Sequence, residues 1–222
     1  MPISHKNPQK RQSQPSATVL GVILVGGQSK RMGFAKERAS IYGQCTMLEH
    51  IVKVLSEVCG NILIVGKTEE RLGINLSQHN NVLFSPDNEP GHGPLSGITT
   101  ALEFAQKTYT GCLVIACDQP LVKAETLRVL IQNSPDQVGV FFKSYDSSFL
   151  QPLPGYFPTA CRFGLLECLN SRRLSLRKAI DYVERTGTSI LRLSINKDKR
   201  TQLISANDQE ALKEVRIHFS NS

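Results

Sequence analysis

Residues 21–36 read GVILVGGQSKRMGFAK: a short apolar run, two adjacent glycines, two cations, a third glycine and then Lys36. The run GVILV (21–25) carries no polar side chain, the pattern of a strand covered on both faces, as in a parallel sheet packed between helices. Glycines directly behind such a strand let the main chain take positive φ and come close to a ligand. They would do so at the carboxyl edge of the sheet, where open α/β folds bind their ligands.

The pattern repeats outward from that stretch. NILIV (61–65), VLF (82–84), CLVIAC (112–117) and VGVFF (138–142) are further short apolar runs, with amphipathic segments between them. Leu48, Ile51, Val52, Leu55 and Val58 share one helical face; Leu95, Ile98, Leu102 and Ala105 share another, which begins after Pro94, a favoured first-turn residue. The order then changes to an extended, Pro-punctuated QPLPGYFP (151–158), helices near 159–170 and 173–185, a strand SILRL (189–193) and a closing helix from Asn207 through Val215, with Asn207 and Asp208 as alternative N-caps. The expectation is a three-layer, Rossmann-like α/β fold with a mostly parallel sheet.

Length sets the domain count. At 222 residues and 40% hydrophobic composition, the chain suits one well-packed domain, placed at residues 18–222. Residues 1–17 are polar, rich in Pro and Gln and free of acids, and read as a disordered basic tail. That tail holds three of the seven formal positive charges, which leaves +4 on the rest, a balance that suits a pocket for polyphosphate. With no Trp, no aromatic-interleaved basic stripe and no helix-turn-helix or zinc-finger pattern, nucleic acid is not an expected partner. No apolar run has the length of a membrane span or a secretory signal, so no membrane partner is expected either. The cysteines at 45, 59, 112, 117, 161 and 168 form no CxxC pair, and several lie inside apolar runs; a reducing cytoplasm is the expected compartment.

The glycine loop is neither common phosphate loop. A P-loop requires Lys and Ser or Thr directly after its last glycine, whereas Phe34 and Ala35 follow Gly33; the spacing G-x-G-x-x-G is also missing. Gly26 and Gly27 could form a simple strand-to-helix turn, but Arg31 and Lys36 in the same stretch favour a nucleoside triphosphate.

Leu24-Val25-Gly26-Gly27-x-Ser29-x-Arg31-Met32-Gly33-x-x-Lys36 resembles the LAGGxSxRMGxDK signature of nucleotidyltransferases, and specifically of molybdenum cofactor guanylyltransferases. SPDNEPGHGPLSGI (85–98) is similar to the family's Asp-containing segment leading into GPLxGI, and CDQP (117–120) to its CDxP. QPLPGYF resembles the HPL strand, RRLSLRKAI (172–180) the basic Arg-Ser-Leu-Arg element, and SANDQEAL (205–212) the NxNTPEEL near the end. The resemblance implies a nucleotidyltransferase fold and transfer of GMP from GTP to molybdopterin, with release of pyrophosphate and formation of a dinucleotide.

The same resemblance assigns roles. Arg31, Lys36 and Asp118 are the implied catalytic residues; Leu24, Val25, Gly26, Gly27, Lys36, Asp87 and Asp118 bind GTP, Asp87 through the guanine edge. Asp118 holds Mg²⁺, and Arg172, Arg173, Arg177 and Asn207 receive molybdopterin. Gly26-Gly27, against the Ala-Gly of cytosine-specific relatives, favours guanine. Molybdoenzymes or cofactor-insertion proteins are the implied recipients. Blander readings stand beside these: Asp118 as a cap, Lys36 as a solvated lysine, Asp87 in a Ser-Pro-Asp-Asn turn, His92 as a loop residue and at least one of the arginines on a charged helix face.

Three departures stand out. Ala35 occupies the place of the family's Asp before Lys36, Gln151 replaces the His of HPL, and Ser205, Asp208 and Gln209 depart from NxNTP while Asn207 keeps the second Asn. With Asp lost at 35, Glu37 is the next acid available to position Lys36. The rival readings are a cytidylyltransferase or sugar-phosphate nucleotidyltransferase, and a catalytically weakened GTP-binding protein.

Overall fold

The computed structural model describes residues 16–26, 36–74, 76, 79–135, 137–143 and 149–220. Gly27, Arg31 and Ala35 lie outside the described residues, as does most of the expected tail. Strand β1 (Ser16–Leu24) begins within that expected tail, taking in its last two residues.

Six further strands complete one sheet: β4 (Cys59–Val65), β5 (Val82–Ser85), β6 (Gly111–Ala116), β7 (Gly139–Lys143), β8 (Leu150–Pro158) and β9 (Ile190–Ser194), in the order β5-β4-β1-β6-β8-β7-β9. A two-stranded hairpin, β2 (Ser40–Tyr42) and β3 (Cys45–Thr46), stands apart from it. β1 pairs in parallel with both β4 and β6, and β8 alone runs against its neighbours β6 and β7. The mostly parallel α/β sheet expected from the sequence is therefore present, with the QPLPGYFP segment as its one antiparallel strand.

The central strands bury both faces, and each face has its own core. Ile23, Ile62, Ile64, Leu113 and Ile115 face α1 (Met47–Ser56) and α4 (Ala124–Gln132). Leu20, Val22, Leu63, Val65 and Val114 face α3 (Pro94–Ala105), α5 (Arg162–Asn170) and α6 (Leu176–Arg185). This alternation along fully covered strands explains the unbroken apolar runs. VLF departs from it: β5 is an edge strand, and Leu83 is exposed. The short α2 (Glu69–Leu72) follows β4.

Helix α1 opens on a capping box, in which Thr46 accepts from the Glu49 backbone N–H while Glu49 accepts from that of Thr46. The last helix, α7 (Gln209–Ser220), packs Leu212 and Val215 against Ile41 and Met47 in a third, smaller core. Its cap is Asp208, whose Oδ1 accepts from the Ala211 N–H at 2.9 Å. Asn207 is not the cap and turns elsewhere. No described helix is long and apolar enough to cross a membrane.

Phe141 and Phe157, both fully buried, meet edge to face with centroids 4.9 Å apart and lock β7 to β8. Phe157→Ala is expected to cost about 3–5 kcal/mol of stability by leaving a cavity in that layer. Urea denaturation checks this, and an unchanged midpoint would contradict it.

Candidate active site

The carboxyl ends of β1, β4, β5 and β6 open onto a cleft of about 910 Å³. Leu24, Val25 and Gly26 line it from β1, Val65, Gly66 and Lys67 from β4, Asp87 from the loop after β5, and Cys117, Asp118 and Gln119 from the turn after β6. Gln151, Pro152 and Leu153 of β8, with Leu176 and Ser205, complete the far wall. The seam between two parallel strands whose connections leave in opposite directions gives such a crevice, and β1 and β6 supply it here.

Close packing shapes its floor. Val25 N–H donates to Val65 O at 2.9 Å and Gly66 N–H to Ser85 O at 3.0 Å, which carries the ladder past the strand ends. Gly66 has φ +117°, and a Cβ there would stand 1.9 Å from the Val25 carbonyl oxygen. Gln119, almost wholly buried, receives the Ala116 N–H and donates to Leu153 O at 2.9 Å, bridging β6 to β8 under the cleft.

Lys36 opens a 3₁₀ turn (Lys36–Arg38) and sends its ammonium to two acceptors, Asp118 Oδ2 at 3.3 Å and Asn207 Oδ1 at 2.6 Å. Three of the residues marked by the sequence motifs thus converge, although Asn207 lies 171 positions from Lys36. The Ala206 N–H donates to Asp118 O at 2.7 Å, so the segment before α7 is tied down directly beside the pair. Asp118 and Lys36 are each less than one-fifth exposed. The contact is accordingly less screened than a surface pair. Asn207 and Asp118, rather than Glu37, orient Lys36. Glu37 is only 3% exposed and accepts instead from Lys67.

Cys117 sits beneath these charges. Burial pushes its thiol well above the ordinary range, Asp118 and Glu37 add to that, and Lys36 and Lys67 pull weakly the other way. At 4% exposure, it packs into the apolar core beneath the cleft. All six cysteines are free thiols.

Asp87 also faces the cleft, its Oδ1 accepting from Ser96 Oγ and from the Glu89 N–H at 3.1 Å. The three arginines do not line it. Arg172, at φ +57°, donates to His92 Nε2 at 2.7 Å; since guanidinium only donates, the ring proton lies on Nδ1, which is 3.3 Å from Glu89 O. Arg173 lies over Tyr182 and Arg177 over Phe149. Arg177 lies in α6 while Arg172 and Arg173 precede it, so the charged-helix-face reading fits Arg177 alone. The sequence motifs did not mark Gly66, Lys67 or Gln119; a glycine and a lysine immediately behind the apolar run 61–65 were the available signal.

Residues 21–186 match the model of the MobA-like NTP transferase domain. The chain belongs to this family. It is 30% identical over 210 residues to a "Probable molybdenum cofactor guanylyltransferase" of Pelotomaculum thermopropionicum, covering 90% of this chain and 85% of that protein. Its fold is similar to the Molybdopterin-guanine dinucleotide biosynthesis protein A of Archaeoglobus fulgidus, with TM-score 0.70, 22% identity and coverage of 92% of this chain and 100% of that one. It is equally similar in fold to the 4-diphosphocytidyl-2C-methyl-D-erythritolsynthase of Anaerococcus prevotii, with TM-score 0.70, 14% identity and coverage of 92% and 96%. The protein is a nucleotidyltransferase of the α/β type these structures share.

Gly66→Ala is expected to leave the sheet folded but to displace Val25 and Gly26. Affinity for a nucleoside triphosphate should fall about tenfold or more, in line with 1–3 kcal/mol of local backbone strain. Calorimetric titration alongside circular dichroism checks this; unaltered affinity would contradict the role given to the floor.

Proposed function

We propose that the protein transfers GMP from GTP to molybdenum-bearing molybdopterin, forming molybdopterin guanine dinucleotide, with residues 18–222 acting as one catalytic unit. The observation that carries this reading is the convergence of Lys36, Asp118 and Asn207 at the cleft, together with a relative of 30% identity named for that activity.

In the reaction proposed, a terminal phosphate oxygen of molybdopterin attacks the α-phosphorus of GTP. The new P–O bond forms as the α–β anhydride bond breaks, and pyrophosphate carries away the electron pair. No covalent enzyme intermediate is needed; the demands are positioning and neutralisation of phosphate charge. Lys36 meets the second demand by leaving Asp118 for a phosphate oxygen, while Asn207 keeps its ammonium in place. Arg31 and Gly27, by resemblance, complete the phosphate loop, and Leu24, Val25 and Gly26 offer main chain to the nucleotide. Arg172, Arg173 and Arg177, by the same resemblance, would receive molybdopterin.

Mg²⁺ fits this donor set. Among the described residues no cluster of three His, Cys, Asp or Glu forms a metal cage, and Asp118 brings one carboxylate to the same corner as Lys36. One carboxylate with the remaining positions left to phosphates and water is the usual arrangement for this ion. When bound there, magnesium would supply charge neutralisation on the phosphates. Asp118 would hold it by exchanging one cation, Lys36, for another.

A second reading, cytidylyl transfer, draws on the shared fold with the cytidylyl enzyme of A. prevotii. Gly26-Gly27 favours the purine. The free thiols suit a reducing cytoplasm, and the dinucleotide would pass to molybdoenzymes or cofactor-insertion proteins there.

Pyrophosphate release with molybdopterin, compared for GTP and CTP at saturating Mg²⁺, tests the proposal. Turnover with GTP alone is expected; turnover with CTP alone would select the second reading, and GTP binding without turnover would mark a weakened binding protein. Asp118→Asn should keep the fold and lower the GTP rate about 10²–10³-fold, the usual effect of removing one electrostatic group from such a site. A normal rate would overturn the role of Asp118.

A further inference from the structure

Glu37 is a carboxylate buried to 3% exposure, and the ammonium of Lys67 is the cation that meets it. Such a carboxylate is stable only with a partner, so Glu37 fixes where the Lys67 ammonium stands. Lys67 itself remains about one-third exposed and lines the cleft. An ammonium has three donors, and one of them serves Glu37.

The sheet register places the Lys67 main chain among the strand ends. Leu24 is level with both Ala116 and Val65, and Val65 is level with Ser85. Two residues beyond each of these points come Asp118, Gly26, Lys67 and Asp87, one above each strand end. The row runs Asp118, Gly26, Lys67, Asp87 across β6, β1, β4 and β5. At about 4.8 Å per strand, the main chain of Lys67 stands roughly 10 Å from that of Asp118 and one strand from that of Asp87. That separation is comparable to the reach from the α-phosphate of a nucleotide to the edge of its base.

Resting on the GTP reading above, we infer that Lys67, held by Glu37, is a base-specificity residue that donates to the O6 carbonyl of guanine, while Asp87 accepts from the N1–H and N2–H groups of the same edge. A fixed donor beside a fixed acceptor matches guanine. It opposes adenine and cytosine, whose amino groups would meet the ammonium. Glu37 is the positioning residue, and its choice of Lys67 over Lys36 separates base reading from phosphate handling within one 3₁₀ turn.

The test uses the full chain with Mg²⁺, titrated calorimetrically with GTP and with 6-thio-GTP, which keeps N1–H and N2–H but replaces O6 by a weaker acceptor. Lys67→Met alone leaves Glu37 buried without its partner, so the double variant Glu37→Gln/Lys67→Met, which removes both charges, is measured beside it. The wild-type chain should prefer GTP over 6-thio-GTP. The double variant should lose about tenfold to a hundredfold in GTP affinity, the range for one hydrogen bond to a charged group, and lose the preference with it. An equal loss for both nucleotides would overturn the inference in favour of a phosphate contact, and an unchanged preference would overturn it outright. A wild-type chain that binds CTP as tightly as GTP would instead overturn the guanine reading on which the inference rests.

Discussion

The ammonium of Lys36 has two acceptors from distant parts of the chain, and the remainder of the site is arranged around that contact. Asp118 reaches it from the end of β6 and Asn207 from the segment before α7. A lysine is a flexible point charge, and two acceptors restrict it more than one would. The chain lacks an acid at position 35, and the position of Lys36 is fixed across the fold instead of by its sequence neighbour.

That arrangement gives the outer elements a purpose. Helix α7 packs on the β2–β3 hairpin, Arg216 donates to Ser40 O at 2.9 Å, and the Ala206 N–H is tied to Asp118. The small third core therefore serves the cleft by presenting Asn207. The same 3₁₀ turn carries Glu37 to Lys67, so two adjacent residues anchor two lysines at different points of the sheet edge. Lys36 and Asp118 are both partly exposed, so the proposed exchange of partners with a charged ligand costs less there than at Glu37, whose buried carboxylate would lose its cation at a large desolvation penalty.

Much of the fold was legible because a strand buried on both faces leaves an unbroken apolar run, as 62–65 and 112–117 do. The reversed direction of β8 was not, since side-chain pattern reports burial and says nothing of which way a strand runs. Asn207 and Asp208 are both good caps by residue type, and only the tertiary pull of Lys36 separates them. Asp118 and Lys36 were visible through local motifs. Lys67 was not, and Glu37 was visible only as a partner for Lys36: the pair it forms with Lys67 spans 30 positions and two elements, and no periodicity links them. A buried carboxylate in a polar turn looks like any exposed Glu until the packing around it is known.

In the mechanism proposed, the Lys36–Asp118 contact is a resting pair that opens when the triphosphate and its metal arrive. A crystal structure with Mg²⁺ and a GTP analogue whose α–β bridge cannot be cleaved measures this directly. The Lys36 ammonium is expected on a phosphate oxygen, still within reach of Asn207, with Asp118 turned to the metal. An intact pair at the 3.3 Å seen here, with the phosphates held elsewhere, would contradict it.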